Sequence, residues 1–213
     1  MELWTHFLQS TLGYLALHFG LSEAIAIIAL TLIARAAMMP ISLTCAYRMQ
    51  INKGAIERIK PQLDALRKRH KDNPSELANQ TMAVYKENGI TLFDKLSLLN
   101  IGAQGIFGIG IFRSLKQMAF SSRFLWISSL AKPDLLLTVL VGILMLIGMA
   151  LMPGTATNTS TLIMLAVPMI LSIVFVAALP SALGVYWATS NSVTIVQALA
   201  LRGMLARRMR LTA

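Results

Sequence analysis

Few residues of this sequence can do chemistry, and the first of them is a charge inside an apolar run. Arg35 interrupts LSEAIAIIALTLIARAAMMPISL, residues 21–43. About 20 such residues cross a bilayer as a helix, and at about 1.5 Å per residue Arg35 falls roughly 21 Å along it. An arginine at that depth costs about 2.5–3.5 kcal/mol on insertion scales. The apolar stretch that follows holds no Asp or Glu to neutralise it. Two readings stay open: the side chain snorkels to the cytoplasmic headgroups, or it faces a wet cavity, where an intramembrane charge marks a functional site. Pro40 lacks an N–H and crowds the carbonyl of Ala36, so a kink is expected just beyond the charge.

The other candidates are uncharged. Asn100 and Gln104 lie four apart in KLSLLNIGAQGIFGIGIFRSLKQ, which puts them on one helix face. A buried amide needs a partner, so the pair either glues helices together by an interhelical hydrogen bond or lines a cavity. The last apolar run carries Tyr186, Trp187, Thr189, Ser190, Asn191, Ser192, Thr194 and Gln197, more polar groups than any other. What is missing narrows the chemistry. His6, His18 and His70 lie outside the apolar runs, and Glu23, near the end of one, is the only carboxylate inside them, Asp134 standing at the very start of another. No Ser/His pair, HExxH or carboxylate dyad is visible, and the glycines of residues 102–110 follow no strand and precede no Lys-Ser/Thr. Cys45 is the single cysteine, which excludes an internal disulfide and a cysteine metal cluster. No enzyme, no cofactor and no metal are expected. Arg35, Gln104, Asn100, Ser190 and Asn191 suit a water-containing groove that receives something polar and transient.

These groups need an all-α membrane scaffold to hold them. The chain is 56% hydrophobic and only 13% charged, where a soluble domain carries about 25% charge, and its apolar residues are blocked into long runs. Residues 1–20 place Leu3, Trp4, Phe7, Leu8, Leu12, Leu15 and Phe19 at spacings near three and four, which predicts an amphipathic helix in the membrane interface. Five spans follow: 21–45, about 95–117, about 134–152 (apolar all round and facing lipid), about 161–179 and about 181–201, the last two an antiparallel pair. Residues 46–94 are the one long polar segment and predict a helical hairpin outside the membrane. Ile56, Ile59, Leu63 and Leu66 mark one helix, which Pro61 interrupts or restarts. Asn73-Pro74-Ser75-Glu76 reads as an N-cap, a first-turn proline and a capping-box glutamate that open the other. The hairpin's charges are a solvated face or a contact for anionic lipid, ribosomal RNA or a nascent chain.

The hairpin with Lys95 holds ten of the nineteen Lys and Arg residues, the tail 202–213 four, and Arg113, Lys116, Arg123 and Lys132 lie on the opposite side. The excess marks hairpin and tail as cytoplasmic, with the N-terminus outside. The net charge of +10 therefore points to membrane topology and not to DNA. The first residues lack a basic n-region, so no cleaved signal peptide is expected.

Taken together, IARAAMMPISL, KPQLDALRKRHKDNPSELANQTMAVYKENGI, FLWISSLAKPD and LPSALGVYWATSNSVTIVQ resemble, in order and over nearly the whole chain, the YidC/Oxa family of membrane-protein insertases. The resemblance implies five core helices with a cytoplasmic hairpin between the first two. It implies insertion and folding of membrane proteins, alone or beside the Sec translocon, through a hydrophilic groove closed to the outside. Arg35 matches the family's groove arginine, Gln104 its groove glutamine and Trp187 the aromatic of the last span. The implied partners are nascent membrane proteins, the lipid bilayer, the Sec translocon and the ribosome, with the chain a monomer in a bacterial inner membrane. In NIGAQGIF, Gly102 and Gly105 stand close to Gln104 where the family often has proline. A minimal member is expected, without the large periplasmic domain, extra N-terminal span, lipoprotein signal or long basic tail of other members.

Overall fold

The computed structural model describes residues 2–90, 95–153 and 159–212. The end of the expected hairpin (91–94), most of the link after the third expected span (154–158) and Ala213 of the tail lie outside the described residues. Among the described residues the chain is all helical, in the order α1 (Glu2–His18), α2 (Glu23–Arg69), α3 (Pro74–Glu87), α4 (Lys95–Gln117), α5 (Leu135–Leu151), α6 (Thr159–Ala177) and α7 (Ser181–Thr212). Among them α2 and α4 are long and apolar enough to cross a membrane, and α5 is a shorter apolar helix of 17 residues. The chain divides into two compact units, Met1–Pro40 with Gly102–Ala213, and Ile41–Ile101.

The smaller unit is built by the second half of α2, by α3 and by the first turns of α4. Ile59 and Leu63 are buried with Ile90, and Ala55, Ile56, Val84 and Tyr85 pack around them. Pro61 neither interrupts nor restarts a helix, because α2 runs through it. The carbonyl it leaves unpaired belongs to Glu57, and both residues are exposed, so solvent can satisfy it. The Asn73 side chain accepts the Glu76 N–H at 3.1 Å and Pro74 opens α3. The expected capping box is only half made: Glu76 accepts from Gln80 at 2.8 Å, and the Asn73 N–H goes to His70 at 3.1 Å. The other end of α3 closes on Gly89, whose φ of +66° favours glycine. There the Ile90 N–H reaches the Tyr85 carbonyl at 2.8 Å and the Gly89 N–H that of Lys86 at 3.1 Å, a Schellman motif that folds Ile90 back onto the hairpin core.

The larger unit centres on Leu8, Ile27, Ile111, Leu130 and Leu183, each almost wholly buried. Its unexpected member is α1, whose Thr5, Leu8 and Leu12 are buried. It is anchored to α4 by hydrogen bonds from the Trp4 indole to the Ile106 carbonyl (3.3 Å) and from the Ser114 hydroxyl to the Thr5 carbonyl (3.1 Å). Gly110 permits this approach, since a β-carbon there would collide with Trp4. Nor is α5 exposed all round, as its uniform apolarity suggests. Leu137, Val141, Gly142 and Gly148 are buried while Leu135, Leu136 and Ile147 stay exposed. The buried face meets α7, where a β-carbon on Gly184 would press on Leu137, and at Gly142 it meets Ile173 of α6. Small residues let apolar helices approach closely. Arg202 of α7 donates to the Ala150 and Leu151 carbonyls, closing the C-terminal end of α5.

The segment between α4 and α5 is tied down at both ends. The Glu23 carboxylate accepts the N–H groups of Ser121 (3.2 Å) and Ser122 (3.1 Å) and the Ser122 hydroxyl (2.7 Å). The first N–H groups of α7 are satisfied by the same segment, Ser181 bonding the Lys132 carbonyl and Ala182 that of Leu130, both at 3.0 Å. Asp134 caps α5 by accepting the Leu137 N–H at 2.7 Å and also takes the Trp126 indole at 3.3 Å.

Candidate functional site

Arg35 does not lie along its own helix. Its guanidinium reaches across to α4 and α7 in the larger unit. Nε donates to the Ser190 hydroxyl at 2.9 Å, and Nη1 to the Gln104 side-chain oxygen at 3.1 Å. Nη2 donates to the Ser190 hydroxyl, to the Ser190 carbonyl at 3.3 Å and to the Thr194 hydroxyl at 3.4 Å. Every one of these acceptors is neutral. Among the described residues no carboxylate lies within ion-pairing distance of Arg35. The charge is thus oriented and hydrogen-bonded but not compensated, in half-buried surroundings where electrostatic interactions are stronger than in water.

The helix that supplies these acceptors explains why so few polar groups of α7 join in. Thr189, Asn191, Ser192 and Thr194 each donate back to the carbonyl four residues earlier, at 2.8, 2.8, 2.9 and 3.1 Å. Such back-bonding satisfies a side chain locally within an apolar helix. Asn191 is therefore engaged with the Trp187 carbonyl. Thr194 accepts from Arg35 while donating back, and Ser190 is buried and turned to Arg35.

Beside the arginine lies a cavity of about 420 Å³ lined by Gly105, Gly108, Ile109, Phe112, Phe175, Tyr186, Trp187 and Ser190. Its wall is aromatic. Phe112 and Phe175 stack with centroids 5.9 Å apart, and Trp187 meets Phe175 edge-on at 6.1 Å and Tyr186 at 5.9 Å. Ser190 belongs both to this cavity and to the arginine's hydrogen-bond set, so an apolar slot and a fixed cation share an edge.

Of the residues singled out in the sequence, the structure brings together Arg35, Gln104 and Ser190, and places Trp187 in the adjoining aromatic wall. Asn100 belongs to the smaller unit, where its side-chain oxygen accepts the Ser42 hydroxyl at 3.0 Å. Tyr186 and Thr194 stand out in the sequence only as polar members of the last apolar run, and Phe112 and Phe175 of α4 and α6 not at all. Thr194 carries a signal, since it stands one helical turn after Ser190. Phe112 and Phe175 carry none, being indistinguishable in sequence from lipid-facing residues.

The sequence profile of the 60Kd inner membrane protein family matches residues 14–208. The chain belongs to that family. This is the YidC/Oxa family of its sequence resemblance. Proteins named membrane protein insertase YidC align over most of its length. That of Clostridium tetani is 31% identical over 180 residues, covering 83% of this chain and 80% of the relative. That of Clostridium perfringens is 27% identical, covering 92% and 87%. The Helicobacter pylori protein is 25% identical over 88% of this chain, which spans only 34% of that longer relative. Family membership makes this a protein of the bacterial inner membrane.

Proposed function

We propose that this chain inserts membrane proteins into the bacterial inner membrane by offering Arg35 to a substrate's polar tail and the aromatic cavity to its apolar segment. The observation that carries this reading is the shared edge: a cation with neutral partners only, beside a slot walled by Phe112, Phe175 and Trp187. A carboxylate entering from the cytoplasm gains a charge-assisted hydrogen bond from the guanidinium. The apolar segment leaves the slot for lipid, and its burial draws the tail across. No nucleotide and no covalent step are required. Gln104, Ser190 and Thr194 hold the guanidinium in place, and Trp187 shapes the slot. Asn100 and Asn191 contribute through helix packing and local hydrogen bonds.

In this reading five segments span the membrane: residues 21–45, which include the first part of α2, then α4, α5, α6 and α7 as far as residue 201. Residues 1–20 sit at the outer interface, held to the outer end of α4. The hairpin 46–94 and the tail 202–213 lie in the cytoplasm, where the hairpin meets substrates first. The partners are nascent membrane proteins and lipid, with the Sec translocon and the ribosome as auxiliaries, and the working unit is a monomer.

The test is insertion into liposomes. Purified protein is reconstituted alone and a single-span substrate with an acidic tail is synthesised beside it, with protease protection reporting translocation. Wild type is expected to exceed empty liposomes and Arg35→Ala to fall back towards them. Gly105→Leu tests the slot with little risk to folding, because nothing lies within 4 Å of a β-carbon at that position; a leucine there fills the cavity and slows insertion. Full activity in both variants would remove this mechanism, and anion flux through the isolated protein would replace it with a channel.

A further inference from the structure

A second pocket lies away from the arginine, between α1 and the C-terminal turns of α4. It measures about 450 Å³ and is lined by Glu2, Thr5, His6, Gln9, Arg113 and Gln117. Gln9 donates to the Gln117 side-chain oxygen at 3.3 Å and to the Ser114 carbonyl at 3.4 Å, which fixes the floor. The side chains of Glu2, His6 and Arg113 make no hydrogen bond or ion pair among the described residues. An acid and a guanidinium thus share one polar pocket without being consumed by each other.

The periodicity of α1 says what surrounds it. At 100° per residue, Trp4, Thr5, Leu8 and Leu12 form the stripe docked on the protein. Leu3, Phe7, Tyr14 and Leu17 form an exposed apolar stripe, with Leu3 89% and Leu17 84% exposed. Glu2, His6 and Gln9 fall on the arc between the two. A ligand whose polar end occupies the pocket therefore has an apolar strip directly alongside. The pocket is not loosely formed, because Gly110, Ser114 and Trp4 lock α1 onto α4.

We infer that this pocket binds the headgroup of one phospholipid, its phosphate on Arg113 and its ammonium on Glu2, with acyl chain laid over Leu3 and Phe7. A phosphate ester beside an amine matches the charge pair, and a zwitterionic head is preferred to a purely anionic one because Glu2 repels a second negative charge. The site lies outside the insertion machinery and rests only on the chain being a membrane protein.

The experiment counts bound lipid and does not read insertion. Protein purified in mild detergent and stripped of bulk lipid is exposed to phosphatidylethanolamine, phosphatidylglycerol or chain-free glycerophosphoethanolamine, and bound molecules are counted by native mass spectrometry. One phosphatidylethanolamine per chain is expected. Arg113→Ala lowers its retention about tenfold, as loss of a charge-assisted contact does, while Arg113→Lys retains most of it. Glu2→Gln removes the preference over phosphatidylglycerol. Leu3→Ala with Phe7→Ala weakens binding of the lipid but not of the chain-free head, which binds more weakly than the lipid throughout. Circular dichroism checks that each variant is folded. Unchanged retention in folded Arg113→Ala overturns the proposal. Equal binding of the chain-free head, insensitive to the Leu3 and Phe7 changes, overturns the lipid assignment in favour of a site for soluble phosphate esters.

Discussion

Glu23 and Arg35 sit on the same helix, twelve residues and about 18 Å apart, and their charges are used in opposite ways. The Glu23 carboxylate is filled by two backbone N–H groups and a hydroxyl from the segment after α4. Backbone donors cannot turn away without moving the chain, so this charge is committed to holding structure. The partners of Arg35 are, but for one carbonyl, side-chain oxygens of Gln104, Ser190 and Thr194. Those can rotate, and none carries the negative charge that a guanidinium prefers. A fixed carboxylate marks a latch. A cation held only by neutral, movable acceptors marks a place where a visiting anion improves on what is there.

The largest effect expected from this contrast is charge reversal at the site. Arg35→Glu should lower insertion of acidic-tailed substrates about 10–100-fold, the loss of a charge-assisted hydrogen bond compounded by repulsion. Arg35→Lys should keep most activity, and neutral-tailed substrates should feel the reversal less. Protease protection in liposomes with paired substrates measures this, and equal activity of the Lys and Glu variants would erase the distinction. Glu23→Ala comes next and should act elsewhere. Removing the carboxylate loses a charged acceptor for the Ser121 and Ser122 N–H groups, and because Ser121 is exposed and water can take its place the cost in thermal or denaturant unfolding is about 1.5 kcal/mol. Insertion per folded molecule should hardly change. A Glu23→Ala protein of normal stability but no activity would make the latch part of the mechanism.

Much of the scaffold was legible in the sequence, and the reasons it was not complete are physical. Arg35 and the amide of Gln104 stood out because a polar group in an apolar run is costly there and needs a partner or water. The hairpin announced itself by Asn73-Pro74 and by the Ile59–Leu63 spacing, and the structure places both as read. The continuity of α2 through Pro61 was not readable, since the penalty for a helix proline depends on whether solvent reaches the freed carbonyl. The docking of α1 was hidden for a similar reason: one helical period serves a lipid-facing stripe and a protein-facing stripe equally, and only Gly110 opposite Trp4 tells which is which. The back-bond that Asn191 donates to the carbonyl four residues earlier was not readable either, because sequence does not reveal which side chains satisfy themselves locally.

A smaller test separates holding the arginine from being the arginine. Ser190→Ala leaves Arg35 with Gln104, Thr194 and the Ser190 carbonyl, and Gln104→Ala leaves it with α7 alone. Each change should cost about 1 kcal/mol of transition-state stabilisation, roughly fivefold in insertion rate. Because both act through one guanidinium, the double variant should deviate from additivity by at least about 0.5 kcal/mol. Strict additivity in insertion rates would mean the two side chains touch substrate independently and do not position the cation.

The smallest effect belongs to a polar pair that carries no charge. In the smaller unit the Ser42 hydroxyl donates to Asn100 at 3.0 Å, joining α2 to α4. Interhelical bonds of this kind average about 0.6 kcal/mol, because in lipid the separated helices also find partners. A cycle of Ser42→Ala, Asn100→Ala and the double variant, read by unfolding in detergent, should give a coupling of that size with insertion rates unchanged. Coupling near zero in stability but a large fall in insertion for Asn100→Ala would break the contrast from the other side: an uncharged amide would then be serving substrate, and the reserve of unpaired charge at Arg35 would not be what distinguishes a site from a strut.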